Sequence, residues 1–206
     1  MFLMNKDIHT FACDVETTGL SEYKYGIWQV AYSINGGNIK EKKMCPPDGA
    51  LYDSKALETG GVTQEEIQDM RPAKEVFVEI LSDLNAFISP YNKTQKFHFI
   101  GYNALFDMKF MRSFFYNMNC KWFGSYFWFP PIDVMILAAE YLKDRRAYMP
   151  NFKLMTVAEK LGIEIEKEKL HDASYDIELT IEIYRIITQQ QPNNMEEKQD
   201  GRFIQT

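Results

Sequence analysis

The chain predicts an α/β domain in which a central mixed sheet is flanked by helices. Three observations carry that prediction. Strand-like segments come first, and helix-patterned segments then alternate with strands, the order that lays helices over a sheet. The 206 residues suffice for one domain with a proper core and are too few for two comfortable ones. Composition is that of a globular protein, with 46% apolar, 15% aromatic and 25% charged residues and no internal repeat.

Residues 8–15 are apolar up to Cys13 and read as a buried strand. Residues 27–34 and 38–44 give a second and a third, joined through Asn35-Gly36-Gly37, a strong hairpin turn. A loop containing Pro46-Pro47-Asp48-Gly49 follows. Thr63 then starts a short polar helix, with Glu66 completing a capping box. Pro72 opens a longer helix to about residue 88, with Val76, Ile80, Leu81, Leu84 and Phe87 along one face. Residues 97–101 are short, apolar and β-prone, a fourth strand. Residues 103–116 return to helical spacing, with Phe106, Phe110, Met111 and Phe114 recurring at three and four. Residues 132–142 form another helix, with Asp133 as its cap. Residues 153–161 form a short one closed by Gly162. The last helix covers 174–188, with Ile177, Ile181, Tyr184 and Ile187 on one stripe. The domain is therefore expected to span 1–188. Residues 189–206 are a polar tail that cannot bury enough surface to order itself.

A net charge of −6 argues against a protein that coats long stretches of nucleic acid, which needs a basic face. It leaves room for one that grips a few terminal nucleotides through bound cations. Cys13, Cys45 and Cys120 show neither paired nor zinc-like spacing, so a reducing compartment is favoured. The first seven residues are too short and too soon polar for a signal peptide, and no apolar stretch approaches a membrane-spanning length. The expectation is a cytoplasmic protein with no membrane partner.

Chemistry enters at Asp14-Val15-Glu16-Thr17-Thr18-Gly19, where the first strand ends. Residues two apart on a strand share a face, so Asp14 and Glu16 project together. Two carboxylates that close raise each other's pKa unless a cation sits between them, and their oxygens suit a hard divalent metal. Gly19 lets the backbone come near a ligand. Alone, Asp-x-Glu arises by chance in a chain of this length, and end-of-strand surface charges would be the plain reading. Two further motifs reverse that balance. Asp107 lies early on the helix after the fourth strand, in Asn103-Ala104-Leu105-Phe106-Asp107. His171-Asp172-Ala173-Ser174-Tyr175-Asp176 opens the last helix, where an imidazole and a carboxylate five apart can face one substrate. Taken singly, Asp107 would be a solvated helix residue and His171 a helix cap.

The three motifs in this order resemble the DEDDh, or DnaQ-like, 3′→5′ exonucleases of the ribonuclease H-like superfamily. The resemblance runs over about residues 8–188. Ile27-Trp28-Gln29-Val30-Ala31 and Ile132-Asp133-Val134 add softer landmarks. It implies a ribonuclease H-like fold with a five-stranded mixed sheet. Carried over residue by residue, it implies Asp14, Glu16, Asp107 and Asp176 as metal-binding carboxylates and His171 as general base. Thr17, Thr18 and Asn103 would contact substrate. Two Mg²⁺ or Mn²⁺ ions are implied as cofactors, supplying the attacking water, charge shielding and leaving-group stabilisation. Asp14 would bridge both ions, Glu16 and Asp176 would hold the ion that activates water, and Asp107 the other. An imidazole of unperturbed pKa near 6.5 can take the water's proton around neutrality.

The activity implied is hydrolysis at the 3′ end of single-stranded DNA or RNA, DNA favoured, releasing nucleoside 5′-monophosphates. Proofreading would require a separate DNA polymerase as partner; RNA trimming is the alternative. A catalytically silent binding subunit has no physical need for four clustered acids. A ribonuclease H-type endonuclease fits the His171 spacing less well. Many members of the family carry histidine where this chain has Gly60-Gly61 or Tyr102, which bears on nucleotide preference rather than on chemistry. Asp172 reads as a helix cap favoured by the dipole. His9 and His98 read as structural, and Glu140, Asp144 and Glu178 have no partner motif. The aromatic run over 122–131 either packs on the core or stacks on unpaired bases. Arg145, Arg146 and Lys153 are either phosphate contacts or a solvated charge run.

Overall fold

The computed structural model describes residues 8–166 and 172–189. Its centre is β1 (His9–Thr17), the middle strand of a five-stranded sheet. β2 (Ile27–Ile34) and β3 (Lys40–Lys43) lie antiparallel on one side, while β4 (Phe97–Gly101) and β5 (Ile132–Asp133) lie parallel on the other, in the order β3-β2-β1-β4-β5. The expected mixed sheet is present.

The hairpin between β2 and β3 turns where Asn35 and Gly36 both adopt positive φ, as that turn requires. β3 is shorter than the expected 38–44, and two further differences bear on the site. β1 continues past Val15 to Thr17, because β2 keeps pairing with it through Asp14↔Ala31, Glu16↔Gln29 and Thr17↔Ile27, with an irregularity at Glu16/Thr17. Asp14 and Glu16 thus sit inside the ladder, held by backbone bonds on which their side chains have no say. Ile132–Asp133 is not the start of a helix but a two-residue strand, paired through Ile100↔Ile132 and Gly101↔Asp133. So brief a strand has no periodicity to read, and only its neighbour β4 reveals it.

The helices, in chain order, are α1 (Ser54–Gly60), α2 (Gln64–Gln68), α3 (Ala73–Asn85), α4 (Ala104–Asn117), α5 (Phe123–Tyr126), α6 (Val134–Tyr141), α7 (Leu154–Lys160) and α8 (Ala173–Gln189). A 3-10 segment covers Lys143–Tyr148. The Thr63–Glu66 capping box forms as expected. α1 was not foreseen: it buries no side chain, so it lacks an apolar stripe, and it depends on Asp53 accepting from the amides of Lys55 and Ala56. α3 stops at Asn85 rather than near 88, which leaves Phe87 off the buried stripe and 47% exposed, while Val76, Ile80 and Leu84 are fully buried. α8 runs through Gln189, one residue into the expected tail; the rest of that tail lies outside the described residues.

Alternation along β1 divides the interior into two layers. Phe11, Cys13 and Val15 join the larger core with α3, α4 and α5; Ala12 joins the core of α6, α7 and α8 on the other face. The aromatic run splits between the two expectations. Phe123, Tyr126 and Phe127 are core, Phe127 meeting the Phe11 ring at 5.2 Å, while Trp122 and Phe129 are 63% and 68% exposed. Truncating Phe127 to Ala should therefore cost about 3–5 kcal/mol in urea unfolding. Phe129→Ala should stay within about 0.5 kcal/mol; equal losses would contradict the division.

Candidate active site

Asp14 and Glu16 occupy the even positions of β1, the face toward α8, whose first turn carries Asp176. The result is a trio of partly buried carboxylates, with one oxygen of each of Asp14, Glu16 and Asp176 lying within 4.8 Å of the others. Asp107 arrives from the opposite layer. β4 stops pairing with β1 at Ala12↔Ile100, and Asp107 Oδ1 accepts the Val15 amide at 3.1 Å. Asp107 is 3% exposed and lies outside the trio. His171 lies outside the described residues. Its neighbour Asp172 caps α8, Oδ1 accepting from Ser174 N at 2.9 Å and Tyr175 N at 3.3 Å, as the sequence implied.

Loss of solvent dominates the electrostatics. Burial pushes the Asp14 carboxyl well above its ordinary range, and the charges of Asp107, Asp176, Glu16 and Asp172 push further. Burial likewise raises Asp107, against the pull of the Val15 amide. Glu16 is raised to about 7 by burial, then by Asp176 and Asp172. No Lys or Arg pairs with Asp14, Glu16 or Asp107 among the described residues. Converging oxygen donors and mutual repulsion together fit a hard divalent ion. Cys13 offers no competing chemistry, since burial, then Asp107 and Asp14, keep its thiol protonated.

The loop after β1 is tightly built. The Thr17 hydroxyl donates to Gly19 O at 2.7 Å. Thr18 is fully buried, its hydroxyl donating to Leu51 O and accepting from Gly26 N, its amide donating to Gly26 O. Thr18 therefore holds the loop from within. A side chain at Gly19 would strike the Tyr25 ring, at 2.4 Å from a Cβ, so the turn closes only with glycine there. Asn103 is exposed, in the left-handed conformation at the start of α4, its amide donating to Asp133 Oδ1 at 3.1 Å. That same oxygen accepts Met135 N, so Asp133 caps α6 and ties β5 to the start of α4. The Tyr102 hydroxyl donates to Phe152 O at 2.7 Å.

Two residues of the softer landmarks, Gln29 and Asp133, gain a more specific place in the structure. Gln29, directly across the ladder from Glu16, is 2% exposed, and its Nε2 has no hydrogen-bond partner among the described residues. A polar residue inside an apolar strand was the clue. Asp133 was foreseen as a cap but not as the anchor of Asn103. The glycine at 60 also gains a reason: a side chain there would approach the buried Trp28 ring to 2.9 Å.

A family model described as Exonuclease, of the RNase T type, matches residues 11–184. The chain belongs to this exonuclease family. The match spans all the DEDDh motif positions, from Asp14 to Asp176. Among curated relatives, the PolC-type DNA polymerase III of Thermotoga maritima is 30% identical over 175 residues, covering 83% of this chain and 11% of the relative. The DNA polymerase III subunit epsilon of Haemophilus influenzae is 27% identical over 151 residues, covering 71% of this chain and 51% of the relative. The chain thus spans about a tenth of the one and half of the other. Among solved structures, an Escherichia coli exonuclease I–single-stranded DNA complex superposes with a TM-score of 0.71 at 20% identity, over 91% of this chain and 42% of that one. That likeness establishes the ribonuclease H-like fold. No helix among the described residues is long and apolar enough to cross a membrane.

The folded Glu16 carboxyl titrates near 7 and the ordinary one near 4.5, so the folded state holds the proton more tightly. Its contribution is stabilising at low pH and is lost as pH rises from about 4.5 to about 7. In chelator, the melting temperature should fall across that window. Glu16→Gln should flatten the fall and melt roughly 3–8 °C higher at pH 8, with the two proteins coinciding near pH 4. A Gln variant that melts lower at pH 8 would contradict the strain assigned to this carboxylate.

Proposed function

We propose that this domain is a metal-dependent 3′→5′ exonuclease that removes nucleoside 5′-monophosphates from the 3′ end of single-stranded DNA. The observation that carries the reading is the convergence of Asp14, Glu16 and Asp176 within 4.8 Å, with Asp107 buried beside them. Membership of the exonuclease family supports the reaction. The relatives' names, DNA polymerase III, and the exonuclease I–DNA complex of the same fold support DNA as substrate. The same names support a DNA polymerase as the partner with which the domain works.

Asp14, Glu16 and Asp176 would hold one divalent ion, and Asp14 with Asp107 a second. Asp14 is suited to serve both, since Asp107, Asp176 and Glu16 all act on its carboxyl. When bound, a pair of Mg²⁺ or Mn²⁺ ions would supply positive charge to the phosphoryl oxygens and lower the pKa of the attacking water. His171, five residues before Asp176 in sequence, is the side chain that would accept the attacking water's proton, as an imidazole can near neutral pH. Asn103 is exposed at the mouth of α4 and its side chain makes no capping bond, which leaves the carboxamide for the terminal nucleotide. Thr17 contributes through its hydroxyl lone pairs, while Thr18 fixes the loop that carries them.

The test is a 5′-labelled single-stranded DNA oligomer incubated with Mg²⁺ or Mn²⁺. A ladder shortening from the 3′ end is expected, with Asp14→Ala slower by about a thousandfold. An intact 3′ end with both metals, or cutting of a closed single-stranded circle, would overturn the proposal. In parallel, excess Mn²⁺ should raise the melting temperature of the unmodified protein, and Asp14→Ala should abolish that rise.

A further inference from the structure

A concavity of about 780 Å³ lies between the loop that follows β1, the strand of Asp14 and Glu16, and α4, the helix of Asp107. One wall is the loop leaving the first motif, joined to it where Thr18 and Gly26 bond in both directions. The other wall is the solvent face of α4, from Lys109, two residues beyond Asp107, through Arg112 to Tyr116. Ser113 ties the walls together, its hydroxyl donating to Glu22 O at 2.7 Å. Lys24, Lys109 and Arg112 line the groove, and none of them forms an ion pair among the described residues. Arg112 is steadied with its guanidinium 5.5 Å over the Phe123 ring. Glu22 and Asp48 are the groove's carboxylates, leaving it one net positive charge in a chain whose own balance is −6. Tyr23 and Tyr116 stand 89% and 68% exposed along it.

We propose that this groove binds the nucleic-acid strand upstream of its 3′ end, Lys24, Lys109 and Arg112 meeting backbone phosphates and Tyr23 and Tyr116 stacking on bases. The inference rests on the exonuclease reading for the direction of the strand. Unpaired cations and exposed aromatic faces in one channel are the combination that holds single strands without regard to sequence. On a protein that otherwise repels polyanions, such a channel also decides where the strand can lie. From Asp107 to Tyr116, α4 rises about 14 Å at 1.5 Å per residue, the length of about four stacked nucleotides. The enzyme would therefore grip long ends better than short ones.

The experiment uses Lys24→Gln/Lys109→Gln/Arg112→Gln in the full chain carrying Asp14→Asn to block cutting. Fluorescence anisotropy is read with a 16-nucleotide and a trinucleotide DNA across a salt series. The triple change should weaken the 16-mer about 10- to 100-fold and reduce the salt slope by about 2, at about 0.7 per phosphate contact. The trinucleotide, about 10 Å long when stacked, ends before Tyr116 and covers only part of the groove, so it should weaken by about threefold, less than the 16-mer. Lys74→Gln/Lys93→Gln/Lys121→Gln, outside the groove, should change the 16-mer affinity less than twofold by the same reasoning. Unchanged 16-mer binding, equal losses on both DNAs, or equal losses in the control triple would each overturn the proposal. The readout is binding, so an absence of 3′ shortening by the unmodified chain would instead count against the exonuclease reading.

Discussion

Repulsion among carboxylates at the end of β1 is the constraint on which this molecule's chemistry depends. Asp14, Glu16 and Asp176 converge within 4.8 Å, and Asp107 is buried nearby with no cationic partner among the described residues. Such a cluster opposes folding, because each group is stripped of water next to others of its own sign. It persists because the surrounding sheet and helices are stable enough to hold it. In the proposed reading, the same unfavourable charge suits the site to divalent ions, which would relieve the repulsion.

The architecture supplies that stability without placing any one element under the whole load. β1 is the middle strand, paired with β4 up to Ala12 and with β2 through Thr17, so the backbone beneath Asp14 and Glu16 is held by β2 on one side and by the Val15–Asp107 bond on the other. Its odd residues anchor in an aromatic-rich core where Phe11 meets Tyr32, Phe97, Phe99 and Phe127. Its even residues turn to α8. Where β4 ends, Asp107 takes the Val15 amide that would otherwise be orphaned. One carboxylate thus serves as a backbone partner in the folded chain while standing next to the trio.

Around this rigid centre the surface is divided by charge. The sheet's edge strand β3 is lined by lysines paired with Asp83 and Glu79, which blunts the edge. Among the described residues the cations of the groove beside α4 form no ion pair, and that contrast is what suits the groove, in our proposal, to an anion. Arg146 follows yet another pattern, packed 5.2 Å over Phe152 and donating to Met149 O, a structural use of one of the two arginines noted in the sequence.

Much of the fold was legible in the sequence because it rests on local pattern. The β1 motif, the Asn35-Gly36 turn, β4, the Thr63 capping box and the buried stripe of α3 all follow from side-chain alternation, turn chemistry or helical spacing. Elements without a local pattern escaped: β5 exists only through β4, and α1 buries nothing. For the site, residue type and spacing pointed to Asp14, Glu16, Asp107 and Asp176, and tertiary structure decided how they meet. It placed three within ligand reach of one another and set Asp107 on the Val15 amide. It turned Thr18 inward, brought Gln29 opposite Glu16, and assembled a cationic groove from Lys24, Lys109 and Arg112. Those outcomes depend on chain segments far apart in sequence, whose distances are set only when the two layers close on β1.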